Sequence, residues 1–130
     1  TLATAISQRL VRRICPECKR EREFTEDEKT LIRRILNKYG EDVNFDNFKT
    51  YDAVGCKHCN KSGYYDRIGI FEVLDLTEEI KELIVDGKSS LEIRRKALEG
   101  NYRPLVVDGI RKVLNGYTTL EELNKKLLIF

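Results

Sequence analysis

Methionine and tryptophan are absent from the 130 residues, histidine occurs once, and no apolar run approaches 18 residues. The last absence excludes a membrane-spanning helix. A single histidine, His58, leaves little for histidine-based catalysis, which needs a nucleophile and an orienting group around it. No G-x-x-x-x-G-K-[ST] is present. The nearest stretch, Gly55–Ser62 (G-C-K-H-C-N-K-S), has Asn60 where the second glycine belongs, and its cysteines occupy backbone that a phosphate cradle needs free to curl. Charge of one sign is also lacking. Lys and Arg number 24 against 22 Asp and Glu, a net +2, so electrostatics give no case for a nucleic-acid partner. The chain is 35% charged and 41% hydrophobic, which permits a modest core. Its Lys, Glu, Arg and Ile bias resembles the usage of heat-adapted proteins.

What is present is four cysteines in two pairs. Cys15 and Cys18 lie in C-P-E-C, Cys56 and Cys59 in C-K-H-C, and 37 residues separate the pairs. A two-residue spacing lets one tight turn aim two sulfurs at a point, and two such knuckles complete a tetrahedral zinc site. The gap exceeds the usual 15–20 residues or so. Two disulfides, a thioredoxin-like redox pair and a four-sulfur iron site are the alternatives. Disulfides need an oxidising compartment, and no signal-peptide pattern is visible. A redox pair opens a helix in a βαβ unit, whereas turn-type residues flank these pairs. Iron and zinc both accept four thiolates in a tetrahedron. His58, inside the second knuckle, could replace a cysteine, but four sulfurs already fill the shell. Such a site is structural, with no position left for water.

The chain starts on Thr1 in mid-pattern, and residues 1–8 read as the tail of an arriving helix, the whole as a piece of a longer protein. Residues 8–14 and 64–74 read as strands flanking the metal unit, paired antiparallel with that unit at their tip. In the second strand Ile68, Ile70, Glu72 and Leu74 share one face and Arg67, Gly69, Phe71 and Val73 the other. Thr25 and Glu28 form a capping box opening a helix over 26–39, with Leu31, Ile32, Ile35, Leu36 and Tyr39 on one side. Residues 41–55 are turn-rich, with room for a short strand, and Phe45, Phe48 and Tyr51 are placed to pack on that helix. Four short helices follow over 78–86, 90–99, 104–115 and 119–128, opened by Thr77, Ser89 with Glu92, Pro104, and Thr118 with Glu121. Helices this short are marginal alone, so they are expected to pack together. The fold class is therefore α+β: a tetracysteine zinc subdomain inserted at the tip of an antiparallel strand pair, followed by a small four-helix subdomain.

Three stretches, Q-R-L-V-R-R-I-C-P-E-C-K (8–19), G-C-K-H-C-N-K-S-G-Y-Y-D-R-I-G-I-F-E-V-L (55–74) and D-G-I-R-K-V-L-N-G-Y-T-T-L-E-E-L (108–123), together resemble the C-terminal part of the type II secretion and type IV pilus assembly ATPases. The resemblance implies that 1–14 end a RecA-like ATPase core, 15–63 form the zinc-binding subdomain, 64–74 return as a core strand, and 75–130 form a helical subdomain. It implies zinc on Cys15, Cys18, Cys56 and Cys59, with ATP and magnesium bound only in the full-length parent, whose Walker motifs would precede this chain. The parent would be a cytoplasmic homohexamer, peripheral to the bacterial inner membrane. Its ATP hydrolysis would drive an inner-membrane platform protein and hence pilin or pseudopilin assembly. This piece alone would hydrolyse nothing. Arg67 matches the arginine of the family's G-Y-x-G-R-x-G-I run, which implies a place near nucleotide or a subunit interface. Read from the residues alone, it is a surface strand arginine. Asp66 stands where the family usually has glycine. The alternative is a free-standing zinc-ribbon-like module binding nucleic acid or protein, which predicts a basic stripe interleaved with aromatics.

Overall fold

The structure, a computed structural model, describes residues 4–129. It is organised on a long antiparallel ladder between β1 (Thr4–Ile14) and β4 (Tyr64–Asp75). Everything between these strands is a loop of the ladder, and the last two helices of the chain pack back on it. The loop holds β2 (Arg20–Arg22), α1 (Glu26–Lys38), one 3-10 turn over Phe45–Asn47, and β3 (Thr50–Asp52), which pairs antiparallel with β2. After β4 come α2 (Glu78–Val85), α3 (Ser90–Glu99), α4 (Leu105–Leu114) and α5 (Leu120–Leu127).

Pairing runs from Thr4 opposite Asp75 to Arg12 opposite Arg67, then slips before Ile14 opposite Tyr64. The extra residue lies on β4, where Asp66 takes φ +70. A bulge with a left-handed residue is a place for glycine, and aspartate is among the few others that tolerate it. That backbone requirement accounts for the glycine expected at this position. Residues 4–8 belong to β1 rather than to a helix tail. Their partners, Thr4 to Asp75 through Gln8 to Phe71, lie some seventy positions away, so no local pattern reveals them. Residues 1–3 of the expected helix tail lie outside the described residues.

Alternation on the ladder follows the expected faces. Val11 and Ile70 are fully buried, whereas Ile6, Leu10, Phe71 and Val73 are exposed. The inner face meets a single core of Val107, Ile110 and Val113 from α4, Leu120 and Leu123 from α5, Ile32 and Leu36 from α1, and Phe24 and Phe45. Phe24 meets Phe45 edge-on at 5.3 Å. The loop's helix and the two last helices therefore bury their apolar stripes against one another. Gly109 permits this closeness: a Cβ there would sit 2.4 Å from Leu123 Cδ1.

Two features of the helices differ from expectation. The helix expected over 104–115 spans Leu105–Leu114, and Pro104 is the residue before α4 rather than its first turn. The four helices also do not form one bundle. α2 packs on α3 and α4 on α5, and the exposure of Ile84, Val85 and Leu91 shows that the stripes of the first pair are only partly covered. An apolar stripe states that a helix packs, not on what.

Candidate metal centre

The first knuckle begins as β1 ends. Ile14 donates its N–H to the Tyr117 carbonyl, and Cys15 donates its own to the Gly63 carbonyl, which fixes where the first sulfur lies. The second knuckle is a tight turn in which Lys61 donates to the Cys56 carbonyl and Ser62 to the Cys59 carbonyl, with Asn60 and Lys61 both at positive φ. Gly55 and Gly63 close the turn at φ +106 and +83. A Cβ on the first would lie 2.8 Å from the Lys61 carbonyl oxygen, and on the second 2.7 Å from Ala53 Cβ.

Together these turns bring all four sulfurs within 4.8 Å of one another. Cys15 Sγ lies 3.8 Å from Cys56 Sγ, Cys18 Sγ 3.8 Å from Cys59 Sγ, and Cys56 Sγ 3.7 Å from Cys59 Sγ. A tetrahedron with metal–sulfur bonds of about 2.3 Å has edges of about 3.8 Å, so the donor set fits one such ion. The cysteines are free, and their separations are nearly twice the roughly 2.05 Å of a disulfide. Three backbone N–H groups point at sulfur: Gly55 to Cys18 at 3.3 Å, Cys56 to Cys59 at 3.1 Å, and Gly63 to Cys59 at 3.2 Å. Without an ion the sulfurs cannot all be charged. Burial pushes the Cys18 thiol up to about 12, against the Gly55 N–H. Burial also raises Cys59, but the N–H groups of Cys56 and Gly63 outweigh it and leave that thiol lowered to about 6. A divalent ion deprotonates thiols that coordinate it.

His58 is exposed and stacks on Tyr65, centroids 4.2 Å apart, outside the sulfur cluster. Arg67 is exposed on β4 opposite Arg12, near the metal end of the ladder but not part of the sulfur cluster.

What the motif reading missed is the clamp at the metal end of the ladder. Glu122, with a fully buried side chain, accepts from the Arg12 N–H at 2.7 Å and from Arg12 Nε at 3.0 Å. Thr118 donates to the Arg12 carbonyl at 2.8 Å. The Arg12 guanidinium lies 4.2 Å from the centre of the Tyr64 ring, and the Tyr64 hydroxyl meets Thr119 at 2.7 Å. Thr118 is therefore occupied with the strand, and Thr119, not Thr118, caps α5 by accepting from Glu122 N–H. The clue was a second threonine and a second glutamate, one position along. A second network supports the loop. Arg22 grips Glu28 at 2.7 and 2.9 Å and Asp52 at 2.9 Å, joining the β2–β3 hairpin to the start of α1. Arg22 holds both carboxyls below their usual range.

Sequence comparison bears on what this arrangement is part of. A family model described as Type II/IV secretion system protein matches residues 1–125. The chain belongs to that family. It is 38% identical over 125 residues to the type IV pilus assembly ATPase PilB of Myxococcus xanthus, covering 95% of this chain and 21% of that protein. It is 38% identical over 120 residues to PilB of Pseudomonas aeruginosa, covering 92% and 20%. It is 36% identical over 124 residues to type II secretion system protein E of Aeromonas hydrophila, covering 95% and 23%. The chain thus spans about a fifth of the length of these relatives. Among the described residues, no helix of this secretion-family chain is long and apolar enough to cross a membrane.

Proposed function

We propose that this chain is the zinc-binding and helical C-terminal part of a hexameric ATPase that powers type IV pilus assembly or type II secretion. The observation that carries the reading is the sulfur quartet, with separations of 3.7–3.8 Å, at the base of a loop whose helix shares its core with α4 and α5. Zinc on Cys15, Cys18, Cys56 and Cys59 would supply a permanent, fully coordinated cross-link between the two knuckles, and no catalysis. The protein's own groups orient the sulfurs through the Gly55, Cys56 and Gly63 N–H donors. ATP and magnesium belong to the parent's core, of which residues 4–14 and 64–74 are a part. The parent works in the cytoplasm against the inner membrane, with neighbouring subunits and a platform protein as partners. Arg67, exposed on β4, would be the residue that meets nucleotide or an adjacent subunit.

The test is ATP turnover by the parent and by this chain alone, beside oligonucleotide titration at two salt concentrations. The reading expects turnover by the parent, none by this chain, and no salt-dependent binding. A parent without turnover, or tight salt-sensitive binding by this chain, overturns it in favour of a free-standing zinc-ribbon-like module.

A further inference from the structure

The α2–α3 hairpin is attached to the rest of the molecule differently from every other helix. Among the described residues, side-chain ion pairs made by residues 78–99 stay within that segment: Lys81 with Glu78 at 3.7 Å, and Lys96 with Glu79 at 2.7 Å and Glu99 at 3.1 Å. Its two buried apolar side chains, Ile80 and Ala97, are not members of the common core. Where the hairpin meets the end of the ladder, an open cleft lies on either side. One cavity of 390 Å³ lies among Leu74, Thr77, Ile80, Ala97 and Tyr102. Another of 250 Å³ lies among Ala5, Glu72, Ile93, Arg94 and Tyr102. Both clefts open to solvent, and with only Ile80 and Ala97 buried the hairpin has the sparse apolar contact of a segment that moves at low free-energy cost.

The helices themselves are well made. Thr77 accepts from Ile80 N–H and Ser89 from Glu92 N–H. The turn between the helices closes with Gly87 donating to the Ile84 carbonyl and Lys88 to the Leu83 carbonyl. The ends of the segment are held from outside it. Arg103 Nη1 donates to the Leu98, Gly100 and Tyr102 carbonyls at 3.3, 3.1 and 2.7 Å. Tyr102 donates to Glu72 at 2.6 Å, and Glu72 in turn accepts from Leu105 N–H at 3.2 Å. The arrangement is a stiff lever on a pinned base.

We infer that residues 78–99 form an arm that rotates as one unit about 75–77 and 100–102, opening and closing the seam between Leu74, Tyr102 and the inner side of α2 and α3. An eight-residue helix is about 12 Å long, so a rotation of about 30° carries the tip about 6 Å. That swing moves Ile84, Val85 and Leu91, the exposed apolar residues of the arm, while the metal centre and the common core stay still. This inference does not depend on the activity of the parent.

Residual dipolar couplings and ¹⁵N relaxation on the zinc-loaded chain test it. Order parameters within the helices of 78–99 are expected near the rigid-backbone value of about 0.85. The couplings of that segment are expected to require their own, weaker alignment tensor, while residues 4–74 and 105–127 share one. Arg103→Ala, which removes the pin at the base, is expected to weaken the arm's tensor further and leave that of α4 and α5 unchanged. A single tensor fitting the whole chain overturns the inference. So do low order parameters through α2 and α3, which would mean local unfolding rather than rotation, or an arm tensor that Arg103→Ala does not alter.

Discussion

Replacing Glu122 with alanine tests whether the clamp between β1 and α5 holds the metal unit to the helices. The Glu122 side chain is wholly buried, whereas that of Arg12 is 38% exposed. Truncation strands the Arg12 backbone N–H, now bonded at 2.7 Å, at a cost of about 1–3 kcal/mol. It also removes the charge-assisted bond from Arg12 Nε at 3.0 Å. Because the guanidinium still reaches water and rests on the Tyr64 ring, that loss is about 1 kcal/mol, not the full value of a buried pair. The sum is about 3 kcal/mol. In urea unfolding of the zinc-loaded chain, with a slope of about 1.5 kcal/mol/M, the midpoint should fall by about 2 M with the slope unchanged. Glu122→Gln keeps an acceptor for the N–H and should cost about half as much. Pairing Glu122→Met with Arg12→Met removes the unmatched charge but still strands the backbone N–H of residue 12, so it should recover no more than about 1 kcal/mol of the Glu122→Ala loss. A Glu122→Ala midpoint within about 0.3 M of that of the unsubstituted chain would refute the reasoning.

Four further outcomes are expected. Cys15→Ser should release the ion and raise amide exchange across 15–63, since structural zinc contributes about 10–16 kcal/mol in finger peptides; native protection with the ion lost would contradict a structural role. Gly109→Ala should lower stability by about 1–3 kcal/mol, because the added carbon would lie 2.4 Å from Leu123 Cδ1; calorimetry checks this. Asp66→Val, placing a β-branched residue at φ +70, should cost about 1–3 kcal/mol by the same measurement. Metal affinity should fall as pH falls, because binding displaces protons from sulfur. Cys18, raised to about 12, carries a proton to be expelled throughout the range from 5 to 8. Cys59, lowered to about 6, adds a further proton below that pH, so competition titrations should show log affinity steepening by about one per pH unit there.

The cysteine turns, the caps and the 3.6-residue stripes were legible because each is written within a few neighbouring residues. Thr25 with Glu28 opens α1 as expected, and Thr77 and Ser89 open α2 and α3. Ile32 and Leu36 face the core as their spacing requires. What escaped depends on partners far along the chain. β2 is three residues of R-E-R with no apolar period; it exists because Asp52, thirty positions away, binds Arg20 and Arg22. Glu122 lies among leucines and lysines as a surface glutamate would, and only the approach of Arg12 gives it a buried role. The separation of the helices into two pairs was equally hidden, since Leu91 and Ile80 look alike in sequence and only one is covered.

X-ray absorption at the zinc edge, with native mass spectrometry for stoichiometry, tests the central claim most directly. The account predicts one zinc per chain surrounded by four sulfurs at about 2.3 Å. A chain that takes up no ion under reducing conditions, or an ion with nitrogen or oxygen in its first shell, would contradict it.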